Sequence, residues 1–303
     1  MSKPGVVLPV IVLPVVVLVA AVALCAIILL FGPDLAEMLR MQLSEAQAAN
    51  MPLVETLFTG LIFGALLVTA AVGAWLSGGN AFALGRRPGL MLPIGLLTGL
   101  FGVAVATVYA GVAGTLGGGA PGVVGAGLLI WGLLLVVVQA GAEEVYFRGW
   151  LQPALERRWG AIAAILVTAS AFALLHYAGG TRAPVSLLNL FLGGVMFGVF
   201  AVRGGGIAGA LGLHIGWNAT EEIAVGLTPN PGVGSFGALF DYDLVGPALW
   251  GGTEEGLNAS VAMTVVMLAI VVPMIILSRR ALFGDRATVP ASPGSGRSGP
   301  ART

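Results

Sequence analysis

The sequence is short of charge. Only 9% of its 303 residues are Asp, Glu, Lys or Arg, against about 25% in an ordinary globular chain, and 57% are hydrophobic. A soluble protein of this length needs polar residues to cover its surface, so that class is excluded. What charge exists is unevenly spread. None occurs from Pro4 to Pro33, from Thr56 to Gly85 or from Pro88 to Ala142. Net charge is zero and no basic block is present, which argues against nucleic acid as a partner. The single cysteine, Cys25, cannot form an internal disulfide, so cysteine usage says nothing of redox compartment. Histidine is scarce too, with only His176 and His214.

What is there instead is long apolar runs. Eight spans fit the hydropathy, at roughly 6–31, 53–77, 89–112, 123–150, 160–178, 185–202, 205–226 and 259–278, each near the length that crosses about 30 Å of hydrocarbon. Backbone polar groups in lipid must pair internally, and apolar runs of this length do so as helices. The fold class expected is therefore all-α, a polytopic membrane protein of about eight transmembrane helices with any site inside the helix bundle. The first run is too long for a signal-peptide core and reads as a retained span. Residues 34–50 mix charge with Leu35, Met38, Leu39 and Leu43 at the spacing of an interfacial amphipathic helix. Residues 1–122 thus form an N-terminal group of three helices and residues 123–278 a helical core. Residues 279–303, rich in Pro, Ser, Gly and Arg towards their end, read as a disordered cytoplasmic tail. The stretch from Leu227 to Asn258 carries four acids and no basic residue, and is long for a plain connector. With the N-terminus in the cytoplasm, eleven basic residues fall inside and only Arg40 and Arg182 outside, so both termini are expected in the cytoplasm of a plasma (inner) membrane protein.

In such a chain, ionisable groups within spans need a reason, because each is costly in lipid and marks a functional site by default. Glu143 and Glu144 lie in the fourth span with Arg148, and both histidines lie inside apolar runs. Glu144 and Arg148 are i,i+4 and can pair on one helix face; Glu143 points about 100° away and has no basic partner there. Phe172 and His176 share a face of the fifth span, and His214 and Asn218 a face of the seventh. Three helices each offering one polar face is the arrangement of a site inside a bundle. Glu221 and Glu222, one turn beyond Asn218, read as interfacial.

The order Glu-Glu-x-x-x-Arg, Phe-x-x-x-His, His-x-x-x-Asn, complete over about Gly141 to Asn218, resembles the type II CAAX prenyl protease and bacteriocin-processing (Abi, CPBP) family of intramembrane proteases. The resemblance implies an intramembrane endopeptidase, with Glu143 as the base that activates water and His176 beside it. It implies His214 and Asn218 as stabilisers of the tetrahedral oxyanion, and Glu144 with Arg148 as structural support. The substrate it implies is a peptide or protein, hydrophobic or lipidated, met within the lipid bilayer. Glu143, His176 and His214 are also an adequate zinc set, and the family is often labelled metalloprotease for that reason. A metal-free glutamate mechanism accounts for the same residues, because the paired histidines on one helix that typical zinc proteases use are lacking. Two other readings stay open at this point: a proton-coupled transporter, since intramembrane Glu and His also build proton relays, and a non-catalytic membrane scaffold.

Overall fold

The structure, a computed structural model, describes residues 51–121, 125–227, 236–251 and 256–283. The span expected at 6–31 with Cys25, the amphipathic stretch 34–50 and the tail beyond 283 lie outside the described residues. In chain order the elements are α1 (Met51–Leu76), α2 (Pro88–Val112), β1 (Leu116–Pro121), α3 (Ala126–Glu144), a π-helical turn (Val145–Leu151), α4 (Gln152–Ala178), α5 (Pro184–Gly204) and α6 (Ala208–Asn218). A second π-helical turn (Ala219–Val225), β2 (Phe240–Leu244), a short α7 (Ala248–Gly251), a 3-10 turn (Leu257–Ala259) and α8 (Val261–Phe283) come after them.

Among the described residues five helices are long and apolar enough to cross a membrane, one of them a run from Ala126 to Ala178 that joins two helices across a kink at Gly160. The expected count of about eight is therefore not what the described residues display, and the differences have local causes. The spans expected at 123–150 and 160–178 form one 53-residue run. That run is not straight: Gly160 adopts φ 79° and ψ 166°, a left-handed, extended geometry that only glycine takes without strain. The rings of Phe147 and Phe172 lie 5.4 Å apart, whereas a straight helix would separate these residues by about 37 Å. The chain therefore doubles back between them. The span expected at 205–226 is an 11-residue α-helix continued by the second π-helical turn. The last helix runs on to Phe283, taking in residues 279–283 that the sequence assigned to the tail.

The all-α expectation holds for the bundle but not for its rim. β1 and β2 form a two-stranded antiparallel sheet pairing Leu116 with Leu244 and Pro121 with Phe240, with an irregularity between Gly118 and Ala120. Its second strand lies within the acidic stretch after Leu227, so that stretch is partly ordered against the bundle. Leu239 N–H donates to the Ile223 carbonyl and ties the sheet to the end of the second π turn.

The tightest helix contact is α2 against α6, and glycine makes it. Gly95 and Gly99 on α2 face the Gly209 and Leu213 carbonyls, while Gly212 and Gly216 on α6 face those of Leu92 and Leu96. Each would drive a Cβ into opposing backbone, so the two helices touch main chain to main chain, the small-residue packing that lipid favours. This contact holds α6 by one face and leaves the other to present His214. Replacing Gly216 by Leu should force α2 and α6 apart and destabilise the fold by about 1–3 kcal/mol or more, as overpacking does. Gly127→Leu, at a site with nothing within 4 Å, is the matched control. Thermal denaturation in detergent should separate the two, and equal melting would refute the packing account.

Candidate active site

Two of the three polar motifs sit where a helix departs from regular geometry. α3 ends on Glu143 and Glu144, and the chain then widens into the π turn, all seven residues of which are buried. Pro153 gives the reason. It cannot donate an N–H, and in a straight α-helix its ring would strike the Gly149 carbonyl. The wider turn relieves that clash, and Gln152 N–H reaches back to the Phe147 carbonyl instead. Gly149 itself has no room for a side chain, since a Cβ there would meet the Ala81 carbonyl. π turns of this kind occur often at functional sites.

Arg148 is the centre of the packing. Its guanidinium is buried, donates to Glu144 Oε1 at 3.2 Å and to the Gly194 carbonyl at 3.0 Å, and lies 5.0–5.4 Å from the ring centroids of Phe147, Phe172 and Phe197. Glu144 is fully buried, and the same Oε1 receives His214 Nδ1 at 2.9 Å. An ionised carboxylate only accepts, so His214 carries its proton on Nδ1 and turns Nε2 towards Glu143, whose Oε2 is 3.7 Å away. Phe197 stacks on the His214 ring at 4.6 Å and 17°. His176 is fixed in the same manner from another direction: its Nδ1 lies 2.9 Å from the Phe172 carbonyl, which can only accept, leaving Nε2 unclaimed by that bond. Both imidazoles are thus held through Nδ1, as ligating and catalytic histidines commonly are.

A cavity of about 40 Å³ lies between these groups, above the roughly 10–15 Å³ that one water needs. Phe172, His176, Phe197, His214, Asn218 and Glu221 are among its walls. His176, His214 and Asn218 therefore meet at one space as the sequence motifs require. Glu143 does not line it; its carboxylate, 12% exposed, sits against the Nε2 edge of His214. A larger cavity of about 260 Å³ lies elsewhere, lined by Asn80, Arg148, Gln152, Glu156 and Arg157 among others. It touches neither histidine nor Glu143.

Glu221 is the residue sequence reasoning misplaced. It and Glu222 are each 1% exposed rather than interfacial, and Glu221 lines the cavity while accepting the Leu257 N–H at 3.2 Å. The signal was present: His214, Asn218 and Glu221 stand at i, i+4 and i+7, one helical face. Glu144 also does more than support, because it orients His214 directly.

The zinc set fares less well. Among the described residues no three His, Cys, Asp or Glu side chains are gathered into a group that could hold a metal. The two imidazoles share a cavity that Glu143 does not line, while Glu143 Oε2 lies 3.7 Å from His214 Nε2.

Residues 125–220 match the family model described as type II CAAX prenyl endopeptidase Rce1-like. The matched stretch contains all three motifs, from Glu143 to Asn218, and supports the resemblance read from them. No curated protein and no solved structure matches the chain.

Removing one partner of a buried pair strands the other, at about 3–5 kcal/mol. Glu144→Gln should therefore lower thermal stability in detergent and deplete the protein in the membrane, because Arg148 is left uncompensated. The double change Glu144→Gln, Arg148→Met removes both charges and should recover much of that stability. A double variant no more stable than Glu144→Gln would show that the pair is not what holds these helices together.

Proposed function

From the match of residues 125–220 to the type II CAAX prenyl endopeptidase family, we propose that this multi-pass membrane protein is an intramembrane endopeptidase in which Glu143 activates the attacking water. One observation supports this reading above the others. A carboxylate with no same-helix basic partner faces the free edge of an imidazole that is itself fixed by a buried ion pair, beside a water-sized cavity.

The chemistry is peptide hydrolysis by general base and oxyanion stabilisation. A water held between the cavity and the Glu143 carboxylate gives its proton to Glu143, and its oxygen attacks the scissile carbonyl. His176, through Nε2, aligns the water. The Asn218 side-chain amide donates to the oxyanion, and His214 donates beside it in the state that carries a proton on Nε2 as well as Nδ1. The C–N bond then breaks, and Glu143 returns its proton to the leaving nitrogen. Glu144 and Arg148 touch no reacting atom; they hold His214 in one tautomer and one orientation. No step in this sequence requires a metal. The substrate is a peptide or protein, apolar or lipidated, met in the bilayer.

Glu143→Gln keeps shape but cannot accept a proton. Turnover of a fluorogenic hydrophobic peptide in detergent should fall by about 10²–10⁴, with abundance and melting unchanged. His176→Ala should behave similarly, and Asn218→Ala should lose roughly 10²–10³ as for a missing oxyanion donor. Asp241→Asn, exposed on β2, is the control. Near-normal turnover in Glu143→Gln would pass the reading to the scaffold alternative.

The metal question has its own measurement. Protein dialysed against chelator and analysed for bound metal should keep its turnover. Activity lost on chelation and restored by one zinc per chain would replace the glutamate mechanism with a metal-assisted one.

A further inference from the structure

The larger cavity, of about 260 Å³, takes no part in the proposed chemistry and is built largely from helix ends. Ser77 and Asn80 come from the end of α1 and the turn after it, Glu156 and Arg157 from the stretch before the Gly160 kink, and Val202 and Gly205 from the end of α5. Trp75 and Trp159, each two residues from a wall residue in the chain, are exposed beside it. Tryptophan gathers where hydrocarbon meets the headgroup layer. The mouth of this cavity therefore lies at an interface of the bilayer.

Its charge is positive. Arg157 lines it and gives the Ser77 carbonyl one bond at 3.2 Å, out of the five N–H donors that a guanidinium has. A Cβ built on Gly79 would lie 3.9 Å from Arg157 Nη1, and one built on Gly205 would lie 3.4 Å from Arg86 Nε. Both glycines are wall residues, so two guanidiniums stand over the wall with no side chain between them and it. Arg87, Arg158 and Arg203 adjoin these residues in the chain, whereas Glu156 is the one acid in the wall among the described residues. Arg148, the buried arginine of the wall, is already committed to Glu144 and the Gly194 carbonyl.

A recess with low-dielectric walls focuses such a field and concentrates anions within it. Among anions, phosphate suits the planar fork of arginine, which can give it two parallel N–H bonds. Size narrows the choice further. Ordinary ligand pockets hold about 300–1,000 Å³, so this one has room for a headgroup but not for a whole lipid. The acyl chains of such a ligand stay outside in the bilayer. Basic pockets between spans hold anionic headgroups in this way.

We propose that the cavity binds the phosphate of an anionic phospholipid headgroup between Arg86 and Arg157. A free phosphate offers the same chemistry, and the two sources differ in whether a lipid is needed for tight binding. The site touches neither histidine nor Glu143, so it stands or falls independently of the peptidase reading.

The test uses the full chain, purified in detergent and titrated with short-chain phosphatidylglycerol, short-chain phosphatidylcholine or inorganic phosphate. Affinity is read from the rise in melting temperature, and native mass spectrometry counts the lipid retained. Phosphatidylglycerol should bind at one per chain and more tightly than the other two. Arg86→Gln combined with Arg157→Gln should weaken it about thirtyfold, the loss expected for two arginines near a membrane surface. Arg182→Gln combined with Arg280→Gln removes the same charge from exposed positions outside the wall and should leave binding unchanged. Ala83→Trp, at an exposed wall position, adds bulk without changing charge and should also weaken binding, which keeps the test sound if the double arginine variant folds poorly. Equal affinity for inorganic phosphate would support a phosphate site and overturn its lipid source. Equal affinity for the two lipids, or undiminished binding in either wall variant, would overturn the site.

Discussion

A guanidinium inside a membrane-spanning bundle must be neutralised within reach of its own side chain, because no water is there to do it. Arg148 imposes that condition, and much of the core is built to meet it. Glu144 must lie one turn back to pair with it. Gly194 on α5 must offer a carbonyl, and a side chain there would collide with Ala169, so glycine is the residue that fits. Phe172 on α4 and Phe197 on α5 must turn their faces to the cation. Glu144 in turn fixes His214 on α6. One buried charge thus sets the mutual placement of α3, α4, α5 and α6, and the polar groups around the cavity take their positions from it.

Both segments that carry this network widen just past their motif, the first after Glu144 and the second after Asn218. A π turn adds a residue to the helical circuit and so rotates the downstream chain relative to the helix before it. In the second case it keeps Asn218 and Glu221 on one wall while sending the chain on towards β2. Irregular geometry is concentrated where polar groups are aimed, and the lipid-facing lengths of α2, α5 and α8 remain regular.

The part of the site that the sequence disclosed is the part with i,i+4 spacing in charge-free surroundings: Glu144 with Arg148, Phe172 with His176, His214 with Asn218. Periodicity shows which residues share a helix face. It does not show depth, so Glu221 passed for an end-of-helix residue although it stands on the face of His214. The orientation of Glu143 towards α6 rather than into the cavity was equally hidden, because it depends on how two helices cross. Residues 240–244 alternate Phe-Asp-Tyr-Asp-Leu, a period-two signal of a half-buried strand. Their partner, the glycine-rich Leu116–Pro121, carries no such pattern and lies far off in the chain. The break between the spans expected at 123–150 and 160–178 was legible too, since Gly160 is where the chain turns back.

Where helix backbones touch, as α2 and α6 do at Gly95, Gly99, Gly212 and Gly216, there is no side chain left to vary. That confines evolutionary change in the cavity to its other sides. Leu190 and Met196 on α5, Asn258 before α8 and Met267 on α8 line the same space with side chains of their own. Methionine in particular adapts to different shapes at little cost. Divergence in what the cavity accepts should therefore accumulate on α5 and α8 while the glycine seam stays fixed, so one bundle can supply many selectivities with its reactive groups unmoved.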